Sequence, residues 1–194
     1  MKLNLDIAVP TPPAWIEAVV NDFDAFLLDH ADCERKASAT AMSLVAKYPN
    51  RVEILPELID IAIEELEHFK LVYALIEERG MQLTHSIPED PYIKSLMKKM
   101  HSGIEERFLD RLLIASLFET RGAERFKIIS EAMLDDKMQQ FYKMLWISEA
   151  RHGHVYVKMA LNYFPEEKVY ERLQWWIDTE GEIVTNLEIR AALH

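Results

Sequence analysis

Two short stretches of this sequence have the residue types and spacing of metal ligands. "EELEHF" sets Glu65 three residues before His68, and "ISEARHGHVY" sets Glu149 three residues before His152. On an α-helix, positions i and i+3 share a face, so each pair can offer a carboxylate oxygen and an imidazole nitrogen to one cation. Either pair alone carries little, because an exposed Glu-x-x-His is ordinary on a helix surface. What decides is whether the pairs point inward.

Periodicity says that they do. Inward positions of a bundle helix recur at alternating steps of three and four residues. Through Glu149 that stripe reads Met138, Tyr142, Leu145, Glu149, His152, Tyr156, Met159. Through Glu65 it reads Leu58, Ile61, Glu65, His68, Val72, Leu75. Both pairs sit mid-way along an otherwise apolar stripe.

Two further helices supply one glutamate each. One stripe runs Phe23, Leu27, His30, Glu34, Ala37, Ala41, Leu44, Tyr48; the other runs Phe108, Leu112, Ala115, Glu119, Gly122, Phe126, Ile129, Met133. Small residues flank both glutamates and leave room beside them. Glu34 precedes Glu65 by 31 residues and Glu119 precedes Glu149 by 30, a near-repeat that reads as a duplicated helix hairpin.

Isolated buried carboxylates cost several kcal/mol each or become protonated. A pair of divalent cations removes that cost by supplying the missing positive charge. One glutamate from each of two helices plus Glu-x-x-His from each of the other two is the donor set of carboxylate-bridged dimetal proteins. Six oxygen and nitrogen donors favour iron or manganese over a thiolate-seeking metal, and only a redox-active ion would activate O2. The expected ligands are Glu34, Glu65, His68, Glu119, Glu149 and His152. Glu124 falls on a mostly polar strip and is expected to face solvent. His30 stands one turn before Glu34 and is expected to support it, His154 to be exposed, and Cys33 to be a small buried apolar residue.

The elements that must carry these residues are helical throughout. Five glycines in 194 residues leave few strand turns, and period-2 alternation is absent. A short helix is expected after Pro13, then long helices over about 22–47, 52–79, 104–133 and from Asp135 to before Pro165. Gly80 and Pro49-Asn50 act as stops, and Pro56 is tolerated in a first turn. Residues 80–91 read as a loop, a short helix covers about 92–100, and a last helix runs from Glu166 to the end. That last helix carries Trp175 and Trp176 and is expected to cover the bundle. The expectation is one all-α domain over residues 1–194, a four-helix bundle with additional short and C-terminal helices.

Composition bounds the setting. The chain is 49% hydrophobic and 28% charged, which fits a globular protein, and no apolar run approaches a membrane span. The N-terminal "MKLNLDIAVPTPP" lacks a signal-peptide layout, and one cysteine excludes an internal disulfide, so a cytoplasmic setting is expected. A net charge of −11 argues against general nucleic-acid coating. Candidate basic positions nevertheless cluster at Lys94, Lys98, Lys99 and His101, and at Arg107, Arg111, Arg121, Arg125 and Lys127 along the third long helix. Glu105, Glu106 and Asp110 interleave with them.

The segments "DHADCERKASATAM", "EELEHF", "FETRGAERF" and "SEARHGHVY" resemble, in order and spacing, the tRNA 2-methylthio-isopentenyl-adenosine hydroxylases, the MiaE family. The resemblance spans about Trp15 to Tyr163. It implies a ferritin-like fold and a non-haem diiron monooxygenase with two iron ions, using O2 and an external electron donor or reductase. It implies hydroxylation of the isopentenyl side chain on the tRNA adenosine beside the anticodon. It carries the six ligands onto Glu34, Glu65, His68, Glu119, Glu149 and His152. Competing readings are ferritin-like iron handling, a diiron hydroxylase of a small lipid or metabolite, and a metal-free helical interaction module.

Overall fold

The computed structural model describes residues 5–83 and 90–194. Residues 84–89 of the expected 80–91 loop, and residues 1–4 of the N-terminal stretch, lie outside the described residues. Among the described residues, seven helices follow in order: α1 (Pro13–Asn21), α2 (Phe23–Lys47), α3 (Leu55–Glu78), α4 (Pro91–Met97), α5 (Ile104–Ala132), α6 (Asp136–Leu161) and α7 (Glu166–Thr185). No strand occurs among the described residues. No helix among them is long and apolar enough to cross a membrane. The chain forms two compact units, one of residues 17–88 and 190–193, the other of residues 1–16, 89–189 and 194.

The smaller unit is the α2–α3 hairpin. Asp22 starts α2 by accepting a hydrogen bond from the Ala25 N–H at 3.2 Å, satisfying a backbone donor the helix cannot pair internally. Pro56 sits in the first turn of α3, where a missing N–H costs nothing. Gly80 ends α3 with φ of +70°, a left-handed conformation that favours glycine. The Gly80 N–H donates to Glu77 O and the Met81 N–H to Ile76 O, the paired closure of a Schellman motif. Phe26, Leu27, Ala31 and Leu44 of α2 and Leu58, Ile61, Val72 and Ile76 of α3 are all buried. Each large aliphatic or aromatic side chain removed from water there contributes about 1.5–3 kcal/mol. Ser38 Oγ fixes the pairing by donating to the Ala62 carbonyl at 2.7 Å.

The larger unit is built on the α5–α6 hairpin, with α4 and α7 laid against it. Asp135 caps α6 through the Met138 N–H, as its position predicts. Ser116 Oγ on α5 donates to the Gly153 carbonyl on α6 at 2.8 Å. A Cβ at Gly153 would stand 2.9 Å from Thr120 Oγ1, so glycine there permits the close approach of the two helices. Asp110 on α5 anchors α7 and the α4–α5 connection together. It accepts from Arg172 Nε at 2.7 Å, from Trp176 Nε1 at 2.8 Å and from the His101 N–H at 2.8 Å.

The structure departs from the sequence expectations at defined points. The last helix does not reach the chain end: α7 stops at Thr185, and residues 186–194 are non-helical. The tail has other partners, because the Leu193 N–H donates to Asp29 and the His194 ring stacks 5.1 Å from Tyr92. Of the tryptophan pair only Trp176 is buried, while Trp175 stays 40% exposed. Glu124 is not a solvent-facing acid: its side chain is 21% exposed and bound by Arg121 and Thr11. Cys33 is only partly buried, with its thiol donating to Asp29 at 3.7 Å.

Candidate metal centre

The four ligand-bearing stripes are buried around their centres, with Phe23, Ala37, Tyr48, Leu75, Met133 and Met138 half-buried, and all six expected ligands are buried. In the α2–α3 unit, Glu34, Glu65 and His68 each offer a donor atom within 4.8 Å of the others. His68 Nδ1 stands 3.8 Å from Glu34 Oε2 and 3.6 Å from Glu65 Oε2. Those separations exceed a hydrogen bond. They suit donors sharing one ion, each at roughly 2.0–2.2 Å from it. The residues present therefore fit a divalent metal.

His30 supports this triad from one turn away. Its ring is fully buried, and Nε2 lies 2.6 Å from Glu34 Oε1. Burial, with His68 nearby adding to it and Glu65 opposing, lowers the His30 pKa to about 3. The ring is thus neutral near pH 7, and the contact is an imidazole N–H donating to a carboxylate rather than an ion pair. Such a bond holds a ligating carboxylate in one orientation.

In the α5–α6 unit, Glu119, Glu149 and His152 form the second triad, with donor atoms within 4.8 Å of one another. Gly122 lies one turn from Glu119, and a Cβ there would meet Glu149 Cγ only at 4.0 Å, so the position leaves space beside a ligand. Tyr142, Tyr156, Phe126 and Met159 are buried along the same stripes. His154 is exposed, as its off-stripe position predicts. Each unit thus repeats one design, a lone glutamate facing a Glu-x-x-His pair.

The polar residues that sequence reading missed or misplaced concentrate on α5. Arg121 and Arg125 were candidates for a basic surface, yet both are buried. Arg121 is held by Glu180 and Glu124, while the Arg125 guanidinium packs 4.9 Å over the Trp15 ring. Burial outweighs the acids around Arg125 and lowers its pKa to about 10. Lys94, Lys98, Lys99, His101 and Arg107 are exposed as expected. Asp110 and Gly153 gave no signal, because a charged residue in an apolar helix and a lone helical glycine suit several readings equally.

The sequence pattern of the tRNA-(MS[2]IO[6]A)-hydroxylase (MiaE) family matches residues 3–194. The chain belongs to the MiaE family. A tRNA 2-(methylsulfanyl)-N(6)-isopentenyladenosine(37) hydroxylase of Pseudomonas putida is 32% identical over 193 residues, covering 100% of this chain and 93% of its own length. A Salmonella typhimurium protein of the same description is 24% identical over 234 residues, covering 95% of this chain and 86% of its own. Among solved structures, Protein 43 from Synechococcus, which has aldehyde deformylating oxygenase activity, matches with a TM-score of 0.89 and 34% identity. That match covers 95% of this chain and 92% of the other. The all-helical class read from periodicity and the ferritin-like fold implied by the MiaE segments are the fold observed, and the chain is an oxidoreductase of the hydroxylase type.

Proposed function

We propose that this member of the MiaE family inserts one oxygen atom of O2 into a C–H bond of the isopentenyl side chain of a hypermodified tRNA adenosine beside the anticodon. The six residues Glu34, Glu65, His68, Glu119, Glu149 and His152 together supply the ligands of its diiron centre. The second oxygen atom leaves as water, with two electrons from an external reductase or donor and two protons. Bound ferrous iron supplies the O2 activation that no side chain offers. The observation that carries the reading is the pair of buried triads, each a lone glutamate with Glu-x-x-His, in a chain similar end to end to hydroxylases named for this reaction.

The chain's own residues do the rest. Four carboxylates offset the charge of two dications in surroundings that exclude water. His30 N–H orients Glu34, and Ser116 pins the α6 backbone one residue past His152. Gly122 leaves space beside Glu149 for an apolar group. The substrate and the reductant come from the cytoplasm.

One observation favours a second reading, an oxygenase acting on aldehydes: the Synechococcus protein of the same fold has aldehyde deformylating oxygenase activity. The test supplies the ferrous protein, reductant and labelled O2 with either prenylated tRNA or a fatty aldehyde. A labelled hydroxyl in the released nucleoside supports the tRNA reading. Turnover of the aldehyde alone overturns it.

A further inference from the structure

One helix has an outer face unlike the rest of this acidic chain. Between Lys137 and Lys158, α6 carries Lys137, Lys143, Arg151 and Lys158 and a single acid, Glu149, which is buried among the candidate ligands. The whole chain, by contrast, has 33 Asp and Glu against 22 Lys and Arg. Exposed positions on α6 recur at steps of three and four: Lys137, Gln140, Met144, Ile147, Arg151, His154 and Lys158 lie on one stripe. At 1.5 Å per residue that stripe is about 32 Å long. Basic residues stand at both ends and two large apolar side chains in the middle, Met144 at 44% and Ile147 at 57% exposed. Beside it, Lys127 packs 5.4 Å over the Trp146 ring.

The same helix turns its opposite face to the second triad, and Arg151 of the outer face adjoins the candidate ligand His152 in the chain. Arg151 is exposed, yet its Nη2 lies 3.2 Å from His152 Nε2. The other exposed basic cluster, at Lys98, Lys99 and Arg107, is placed differently. Exposed Glu105 and Glu106 interrupt it, and Lys168 approaches Glu106 at 3.9 Å. Arg107 also precedes Glu119 by 12 residues of α5, which is about 18 Å at 1.5 Å per residue. A five-carbon side chain reaches only about 6 Å at roughly 1.5 Å per bond. The nucleotide that delivers it must therefore bind near the ligands, not at the far end of α5.

We infer that the outer face of α6 is the RNA-docking surface: Lys143, Arg151 and Lys158 meet the phosphates of an anticodon stem-loop, and Met144 and Ile147 pack against its unstacked bases. This inference rests on the tRNA reading above. Phosphate neutralisation by lysine and arginine supplies most such affinity and makes it salt-dependent. Apolar surface suits the splayed bases of a single-stranded loop.

The test uses the iron-loaded full chain and a fluorescently labelled, prenylated anticodon stem-loop, with binding followed by anisotropy at several salt concentrations. Lys143→Glu with Lys158→Glu should weaken binding at least tenfold and lower the salt slope by roughly one to two, with iron content unchanged. Lys98→Glu with Lys99→Glu is the comparison pair and should stay within about threefold of wild type by the same reasoning. Ile147→Ala checks the apolar centre, which should lose affinity without a change in salt slope. The docking face is overturned if the α6 pair binds normally while wild type hydroxylates tRNA, or if the comparison pair loses more. It is also overturned if sedimentation shows this face closed on a second copy of the chain. A wild-type protein that neither binds nor hydroxylates the stem-loop overturns the functional reading, and this face with it.

Discussion

Glu180 on α7 receives two parallel hydrogen bonds from Arg121 on α5, Nε to Oε1 and Nη2 to Oε2, each 2.8 Å long. Both side chains are buried. The remaining Arg121 donors are also used: Nη1 meets Glu124 and Thr11, and Nη2 meets the Val9 carbonyl. Burial alone would favour loss of the Arg121 charge, but Glu180 and Glu124 outweigh it and hold the guanidinium firmly protonated. The Tyr92 hydroxyl adds a further bond to Glu180 at 3.1 Å. A five-donor group with five acceptors ties the N-terminal segment, α4, α5 and α7 into one polar knot.

Removing one partner strands the other in a dry interior. Glu180→Ala should cost about 3–5 kcal/mol, or roughly 6–20 °C in melting midpoint for a chain of this size. Replacing both, Arg121→Met with Glu180→Leu, should cost less than the sum of the single changes, because neither member of the pair is left behind as a fully buried lone charge, while Glu124, which also loses Arg121, keeps its bonds from Thr11. Thermal melts of the four proteins check this, and strict additivity would count against the pair acting as a unit.

Asp110 gives the fold a dependence on acid. Burial pushes its carboxyl pKa up, but bonds from Arg172, the His101 N–H and Trp176 outweigh that and hold it below the ordinary value. A depressed carboxylate contributes stability that is fully present above the unfolded pKa, about 3.9, and lost as pH falls through the folded one. The stability difference between wild type and Asp110→Asn should be constant above about pH 5 and shrink below about pH 4. Urea denaturation across that range measures it. A difference that grows on acidification would reverse the assigned sign.

The ligand stripes were legible because burial and helix geometry impose a repeat that a sequence displays. Leu145-Glu149-His152-Tyr156 can be inward only as a set, and all four are buried. The tail after Thr185 was not legible. Its residues are as fit for a helix as those before it, and contacts to Asp29 and Tyr92 decide their conformation instead. Arg121 and Arg125 misled for a related reason. A charged residue reads as surface unless its partner can be seen, and Glu180 lies 59 residues from Arg121 in sequence.

Gly153 and Gly122 make a contrasting pair next to the second triad. Alanine at Gly153 would press on Thr120 Oγ1 at 2.9 Å and on the Ser116 carbonyl at 3.4 Å, whereas alanine at Gly122 meets only Glu149 Cγ at 4.0 Å. Gly153→Ala should therefore lose about 1–3 kcal/mol through overpacking, while Gly122→Ala gains helix propensity of roughly 1 kcal/mol or breaks even. Denaturant midpoints of the two variants test the order. A more damaging Gly122→Ala would contradict the packing described.

Metal dependence follows from the two triads. Buried carboxylates are costly without a compensating cation, and ion binding to the folded chain alone shifts its stability by mass action. Ferrous iron at about a hundred times its dissociation constant should add roughly 2.7 kcal/mol per site, a rise of several degrees in the anaerobic melting midpoint. Elemental analysis should find about two iron ions per wild-type chain, as the paired-motif donor set requires. Glu149→Ala should lose most of that iron. Glu124→Gln, which alters the Arg121 knot instead, should keep the iron and melt earlier. If Glu149→Ala retains iron as well as Glu124→Gln does, or ferrous iron leaves the midpoint unmoved, the ligand assignment is wrong.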